Sequence, residues 1–302
     1  MSLFLLISVF AATRILGLIC SKLCSNTLTK RDPCAYAIYI FVVSVVSCIS
    51  YACFTGFTFQ FDKASLLLSV ALALASFLSL ILSLFIYRLA SVSGVNVITT
   101  SLSLVCSAII GFTIFSEEID TIKIIRTLIM LSAGVFVYLD TSEKDEAKQK
   151  QKSTTSNKGM LLIIIIILLL LNCYTTIQSK VIATTDLITD VNTFFFMTNV
   201  YMLAGSGLYL IYVYAKNKDI LKQNLVLLKP KELFTMTGNT IASNLGVVLN
   251  VFILAKMELS VFTMISSALG ILCAAFVSVL FREKLRLYSK ISILLALLVT
   301  II

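Results

Sequence analysis

Long apolar runs, separated by short polar stretches, fill the chain almost from end to end. A helix needs about 20 apolar residues to cross the hydrocarbon core of a bilayer, and the runs have roughly that length. They predict ten membrane-spanning helices, at residues 1–21, 34–55, 65–88, 92–114, 122–140, 159–178, 192–214, 232–254, 259–281 and 286–302. Pro33 and Pro230 each stand just before a run, where the missing N–H costs a helix little. The pattern therefore predicts an all-α integral membrane protein.

The longest polar stretch, residues 141–158, interrupts this pattern near the middle of the chain. Its charges and small polar residues bury too little apolar surface to offset the entropy of ordering, so we expect a flexible linker. The linker divides the chain into two predicted domains of five helices each, residues 1–140 and 159–302.

The two predicted domains resemble one another in sequence. Residues 95–117 match residues 261–283 without a gap, and the matched pairs include Ser101 with Ser267, Ala108 with Ala274, Phe115 with Phe281 and Glu117 with Glu283. Ser21-Lys22 likewise matches Ser179-Lys180 at the end of the first helix of each domain. Because five crossings is an odd number, the second copy must enter the membrane from the opposite side. Such inverted five-helix repeats are typical of alternating-access transporters, whose solute site lies between the repeats near the midplane.

The composition supports a membrane protein. Of the 302 residues, 59% are hydrophobic and 13% are charged, whereas a soluble domain carries about a quarter charged residues. The net charge of +9 comes mostly from Lys and Arg in the loops, where cations set membrane orientation, so we expect a lipid bilayer and no nucleic acid as partner. Eight cysteines, most of them in apolar runs, and no His predict structural thiols, and we expect no metal and no cofactor.

Short polar motifs at the helix ends point to a family. Phe115-Ser116-Glu117 and Phe281-Arg282-Glu283 each precede a polar turn and a last apolar helix, while Lys22 and Lys180 close the first helix of each domain. Together with Gly134, these features resemble the drug/metabolite transporter superfamily, specifically its EamA-type proteins, over nearly the whole chain. The resemblance implies two five-helix repeats and a transport function.

The chain also departs from that family, and the departures leave the substrate class open. Arg14 and Asn172 stand where the family often has tryptophan. The second helix lacks the usual arginine, and the final helix lacks the usual glycine.

The distribution of basic residues predicts an orientation. When loops are assigned to alternate sides, eighteen of the 24 Lys and Arg residues fall on the side of the 141–158 linker and five on the other. The positive-inside rule then predicts a cytoplasmic linker, with both termini outside. The family resemblance implies the opposite, since its members usually keep both termini inside. We follow the charge count.

Arg14 is the one charged residue well inside a predicted span, about 12 Å along the helix from Lys22 at about 1.5 Å per residue. It is the leading candidate to bind an anionic group of a solute, and an arginine that extends to the membrane surface is the alternative. No Asp or Glu is predicted mid-span, and the chain has no His, which disfavours a proton-coupled exporter of cationic drugs. These features favour an anionic or zwitterionic solute.

Neutral polar residues supply the rest of the predicted substrate-binding set: Ser76, Ser83, Asn96, Asn172, Asn239, Ser243 and Asn250. The three on the eighth span form a stripe that we expect to face a cavity, because amides are hard to satisfy against lipid. For the serine stripe on the third span, formed by Ser65, Ser69, Ser76, Ser79 and Ser83, we favour close helix packing. Glu117 and Glu283, at helix ends, are expected to make structural hydrogen bonds.

The sequence as a whole predicts a secondary transporter that moves a small polar metabolite, anionic or zwitterionic, by alternating access. The alternatives are a nucleotide-sugar transporter of an internal membrane and a multidrug exporter. A membrane-embedded enzyme would need His or paired mid-span acids, so we expect no enzymatic activity. We expect a small-molecule solute as partner, a monomer or homodimer, and a multi-pass position in the cell membrane, a bacterial-type plasma membrane rather than Golgi or ER.

Overall fold

The computed structural model describes residues 3–28, 33–89, 104–118, 120–149, 158–185, 187–226, 230–280 and 287–301. Within these ranges the regular structure is helical, and no strand occurs. The helices are α1 (Leu3–Leu28), α2 (Pro33–Phe54), α3 (Lys63–Leu89), α4 (Leu104–Thr113), α5 (Thr121–Gln149), α6 (Lys158–Thr184), α7 (Val191–Lys216), α8 (Lys218–Val226), α9 (Pro230–Leu254), α10 (Leu259–Leu280) and α11 (Leu287–Ile301).

Six segments of the described residues are long and apolar enough to cross a membrane: Leu3–Cys20, Ala37–Phe54, Ile166–Thr184, Val191–Lys216, Pro230–Leu254 and Leu259–Val277. Shorter apolar helical segments lie at Lys63–Ser79, Leu104–Thr113 and Lys290–Val299. Large apolar side chains on these helices are exposed, among them Leu67 at 74% and Leu208 at 69%. An all-helical protein with membrane-spanning helices accounts for this exposed apolar surface. The total of ten spans and their inverted repetition stay predictions.

Two features of the helices correct the sequence-based expectations. Helix α5 continues to Gln149, so the expectation of a flexible linker is wrong for residues 141–149. The expectation relied on the polar composition of the stretch and overlooked its Glu, Lys, Ala and Gln residues, which have high helix propensity. Helix α8 was also missed, because its nine residues carry too little apolar character to predict a span.

The chain packs as two compact units, and each unit combines segments from both halves of the sequence. Unit 1 contains Met1–Ile81 and Ile182–Phe252, and unit 2 contains Leu82–Val181 and Ile253–Ile302. The compact units therefore differ from the predicted domains, which were defined by sequence similarity and not by packing.

Each unit has its own core. In unit 1, α2 packs along α7, and the Tyr51 ring stacks on that of Phe195 with centroids 5.6 Å apart. Leu72 and Val251 bring α3 and α9 into the same cluster. In unit 2, α5 and α10 pack on α11, and the Ser292 hydroxyl donates to the buried carbonyl of Ala133 at 2.9 Å. Small residues at that contact allow a close approach of α5 and α11.

Candidate functional site

Helices α1 and α9 of unit 1 lie against each other at two levels, which we call the α1–α9 seam. A Cβ at Gly246 would lie 3.5 Å from Thr13 Oγ1, and a Cβ at Gly17 would lie 3.5 Å from Asn239 Oδ1. Residue numbers rise along α1 as they fall along α9, so the two helices run antiparallel. The polar stripe predicted on α9 therefore meets α1, the helix that carries Arg14.

A third contact shows how closely the seam is packed. A Cβ at Gly238 would lie 3.2 Å from Cys20 Sγ, which is tighter than an ordinary van der Waals contact. The absence of a side chain at Gly238 thus lets α9 approach α1 closely at Cys20.

Arg14 lies between the two levels of the seam. It is half-buried, and its guanidinium carbon is 5.0 Å from the centroid of the Phe10 ring, one turn earlier on α1. Thr13 is buried and donates its hydroxyl to the Phe10 carbonyl at 2.8 Å, so it belongs to the helix contact. The planar guanidinium has a set of N–H donors whose geometry matches carboxylate and phosphate groups. Arg14 is therefore the candidate residue on α1 for binding an anion.

On α9, the three predicted residues occupy different environments. Asn239 is half-buried at the seam. Ser243 lies one turn further along α9, and it is exposed. Asn250 is half-buried, but its Oδ1 is fully enclosed and accepts no hydrogen bond from the described residues. A buried acceptor without a donor is costly, which makes Asn250 a candidate partner for a donor group of a solute.

The serines of α3 fall into two groups. Ser65 and Ser69 are buried, with hydroxyls that donate to Asp62 Oδ2 at 2.6 Å and to the Leu66 carbonyl at 2.9 Å. Both hydroxyls are bonded within their own segment, and the packing interpretation for the stripe stays a prediction. Ser76 is half-buried in unit 1 and makes no contact that connects it to the seam among those described.

The remaining predicted residues are not placed at the seam. Asn172 belongs to unit 2, where its backbone carbonyl accepts the hydroxyls of Thr175 at 2.9 Å and Thr176 at 2.7 Å. Asn96 and the side chain of Ser83 lie outside the part of the chain that the structure describes. The structure thus places Asn239 against Gly17 of α1, while Arg14 lies on α1 and Ser243 and Asn250 lie further along α9.

A buried polar pair in unit 1 was not predicted. Asn244 on α9 and Ser47 on α2 exchange hydrogen bonds, at 3.1 Å from Asn244 Nδ2 and 3.3 Å to its Oδ1. One turn before Ser47, the hydroxyl of Ser44 is fully buried and has no partner among the described residues. The Ser44 and Ser47 spacing on an apolar helix is the signal that would have indicated a polar face on α2.

Glu117 makes the structural hydrogen bonds expected of it. Its Oε1 accepts the backbone N–H of Leu259 at 2.5 Å, and its Oε2 accepts the N–H and the hydroxyl of Ser260 at 3.0 and 2.5 Å. These residues begin α10, whose first N–H groups have no partner within the helix. A carboxylate at that position also interacts favourably with the helix dipole. Glu283 lies outside the described residues.

Lys180 holds the other side of the same turn. Its buried ammonium donates to the carbonyls of Leu254 at 3.0 Å and Met257 at 2.8 Å, at the end of α9. Lys123 forms an ion pair with Glu258, which lies in the same turn between α9 and α10. Lys180 of one Ser-Lys motif and Glu117 of one Phe-x-Glu motif therefore bind the same turn of unit 2.

A second polar network lies at the loops of unit 1. Asp62 accepts hydrogen bonds from Ser65 N–H at 2.5 Å and from the Thr189 hydroxyl at 3.2 Å, which ties the α2–α3 loop to the α6–α7 loop. The Ser65 hydroxyl and N–H, followed by Thr189, lower the pKa of Asp62 from 3.8 to about 2. Asp190 caps α7 by accepting the N–H groups of Asn192 and Thr193. Both carboxylates order loops and do not face the seam residues in any described contact.

Comparison with known proteins shows the fold and no more. No family model and no curated protein sequence matches the chain. Among solved structures, 27 chains match. One of them, described only as "Crystal structure of protein", aligns with 97% of this chain and 95% of its own chain, with a TM-score of 0.65 and 11% sequence identity. At that identity the match shows a shared fold over nearly the full length and carries no function.

Proposed function

We propose that the chain is a secondary transporter for a small anionic or zwitterionic metabolite, working by alternating access. The observation that carries the proposal is the half-buried Arg14 within an apolar helix that packs against the polar stripe of α9, where Asn239 Oδ1 lies 3.5 Å from the Cβ position of Gly17. A cation at that depth is costly to keep in a lipid environment and commonly marks a solute pathway. Its planar donor set suits carboxylate and phosphate groups.

The neutral polar groups of α9 suit the remainder of a polar solute. Asn239 carries an amide and Ser243 a hydroxyl, and the Oδ1 of Asn250, which accepts no hydrogen bond from the described residues, would accept from an ammonium or hydroxyl group. A zwitterion satisfies this set best, because its carboxylate meets Arg14 and its ammonium meets an amide oxygen. The proposed architecture is that of the EamA-type transporters that the sequence resembles, with ten spans in two inverted repeats.

Ligand-dependent thermal stabilisation of the purified protein tests this proposal. A solute that binds only the folded state raises the apparent melting temperature by mass action. The panel should contain amino acids, dicarboxylates, sugar phosphates and hydrophobic cations. We expect an anionic or zwitterionic compound to stabilise the wild type, to lose its effect on Arg14→Ala and to retain part of it on Arg14→Lys. Lys63→Ala, which removes an exposed cation at the start of α3, is the control and should respond like wild type.

Transport itself is then measured by counterflow of the stabilising compound into proteoliposomes. Wild type and Lys63→Ala should accumulate label, and Arg14→Ala should not. Stabilisation by hydrophobic cations that is indifferent to Arg14→Ala would contradict the proposed anion site and return the multidrug alternative. Binding without counterflow would contradict the transport function itself.

A further inference from the structure

The end of α7 carries an exposed belt of apolar and aromatic side chains. Leu208 and Ile211 are 69% and 65% exposed, and Tyr209, Tyr212 and Tyr214 are exposed beside them. Helix α7 is long and apolar enough to span a membrane, so this surface lies against acyl chains. Tyrosines concentrate where the hydrocarbon meets the headgroups, because the ring is apolar and the hydroxyl is polar. The belt therefore marks the membrane surface at the end of α7.

Two lysines lie over the rings of this belt. Lys216 Nζ is 5.8 Å from the centroid of Tyr212 and 3.5 Å from its hydroxyl oxygen. Lys218 Nζ is 5.2 Å from the centroid of Tyr214. Cation–π contact holds each ammonium at the level of its ring, while both lysines stay exposed. The ammonium groups of Lys216 and Lys218 are thus held at the membrane depth where lipid phosphates lie.

Helix α8 extends the same surface. Lys218, Lys222 and Leu225 are spaced four and three residues apart, so they share one side of the helix, and all three are exposed. On another side, Asn224 is buried and donates to the Ile220 carbonyl at 2.9 Å, and α8 packs on α7 and α2. A short helix with mixed cationic and apolar exposure is typical of an element that lies in the membrane interface.

We propose that the Tyr–Lys patch, formed by Tyr212, Tyr214, Lys216, Lys218 and Lys222, binds the headgroup of an anionic phospholipid. The three lysines face a single acid, Asp219, among residues 208–226, so the patch is electropositive. The exposed Leu208 and Ile211 offer an adjoining surface for an acyl chain. That adjoining apolar surface favours a lipid over a free phosphate, which would gain nothing from it. The patch belongs to unit 1, and it shares no residue with the candidate solute-binding set.

The chain has no tryptophan, so a single introduced tryptophan reports on the lipids around it. In a Leu208→Trp background, reconstituted in vesicles, quenching by brominated phosphatidylglycerol is compared with quenching by brominated phosphatidylcholine at equal mole fraction. We expect the anionic lipid to be enriched several-fold near the reporter. The triple variant Lys216→Gln, Lys218→Gln, Lys222→Gln should abolish the enrichment, and the control pair Lys63→Gln, Lys290→Gln should preserve it.

Several outcomes overturn the proposal. Equal quenching by the two lipids in the wild-type background means that no anionic lipid is preferred. Enrichment that survives the triple variant places the site elsewhere, and enrichment lost equally in the control pair shows general charge attraction. A second arm adds inorganic phosphate or sodium chloride at matched ionic strength. Equal effects support a lipid headgroup site, whereas stronger displacement by phosphate assigns the patch to free phosphate and overturns the lipid assignment. Each variant is first shown to keep the melting temperature of its parent.

Discussion

Glu117 and Ser260, 143 residues apart in the chain, are joined by two hydrogen bonds to a single carboxylate oxygen, at 3.0 Å from the Ser260 N–H and 2.5 Å from its hydroxyl. The other oxygen accepts from Leu259. One side chain from the segment that follows α4 thus accepts hydrogen bonds from the first residues of α10. Since the N–H groups there have no helical partner, the contact fixes where α10 begins.

Replacing Glu117 should therefore destabilise the protein without changing its helical content. In Glu117→Gln, an amide NH₂ group replaces one carboxylate oxygen and faces N–H donors of α10 that it cannot accept from. We expect a loss of about 1–3 kcal/mol in unfolding free energy. Thermal unfolding in detergent measures it. Glu118→Gln is the matched control, because Glu118 is the next residue and exposed, and it should match wild type. Equal losses in both variants would contradict a specific cap.

Gly111 makes room for this cap. A Cβ at Gly111 would lie 2.5 Å from Glu117 Oε2, because the chain turns back over α4 through Ser116 at φ 51°. Alanine normally stabilises a helix by up to about 1 kcal/mol relative to glycine, but Gly111→Ala should destabilise by displacing the carboxylate. Gly205→Ala is the control, since a Cβ there meets nothing within 4 Å.

The thermal unfolding of both variants is compared with that of wild type. The double variant Gly111→Ala, Glu117→Ala should be less destabilised than the sum of its two single variants, because the displaced group is already absent. Strict additivity would show that Gly111 acts through something other than Glu117.

The sequence predicted the helices well because their signal is local. A run of apolar residues needs no knowledge of its neighbours to indicate a span, so α2, α7 and α9 lie where the pattern placed them. The structural role of Glu117 was also predicted, from its position at a helix end, but its partners at the start of α10 were not, because they lie more than 140 residues further along the chain. Hydrophobicity did not predict the helix at residues 141–149 or α8, because polar residues with high helix propensity form these segments.

The seam was beyond sequence reasoning for a different reason. That Thr13 meets Gly246 and Gly17 meets Asn239 depends on the register of two helices more than 200 residues apart. The polar stripe predicted which face of α9 is polar, but it did not predict that α1 packs on that face. The hydrogen-bonded pair of Asn244 and Ser47, on another side of α9, was not predicted either. Registers of this kind are set by small residues at crossing points, and a single sequence does not reveal which glycines those are.

Lys180 binds the end of α9, and Glu117 binds the start of α10 across the same turn. We expect the loss of Lys180 to destabilise the protein as much as the loss of Glu117. In Lys180→Met, a side chain of similar length leaves the carbonyls of Leu254 and Met257 without their buried donor, and we expect a loss of about 1–3 kcal/mol. Lys63→Met, at an exposed position, is the control and should match wild type in thermal unfolding. A Lys180→Met variant as stable as its control would show that the two carbonyls find other partners.

Asp62 should give unit 1 an acid-sensitive component of stability. Its pKa is lowered from 3.8 to about 2, chiefly by the Ser65 hydroxyl and N–H. Because the unfolded chain binds the proton more readily, the stabilisation is fully present above pH 3.8 and is lost as the pH falls towards about 2. In Asp62→Asn the melting temperature should fall at neutral pH, and its difference from wild type should shrink across that window. Asp219→Asn, on the exposed side of α8, is the control. A difference between wild type and Asp62→Asn that stays constant from neutral pH to pH 2 would contradict the ionised carboxylate as the tie between the two loops.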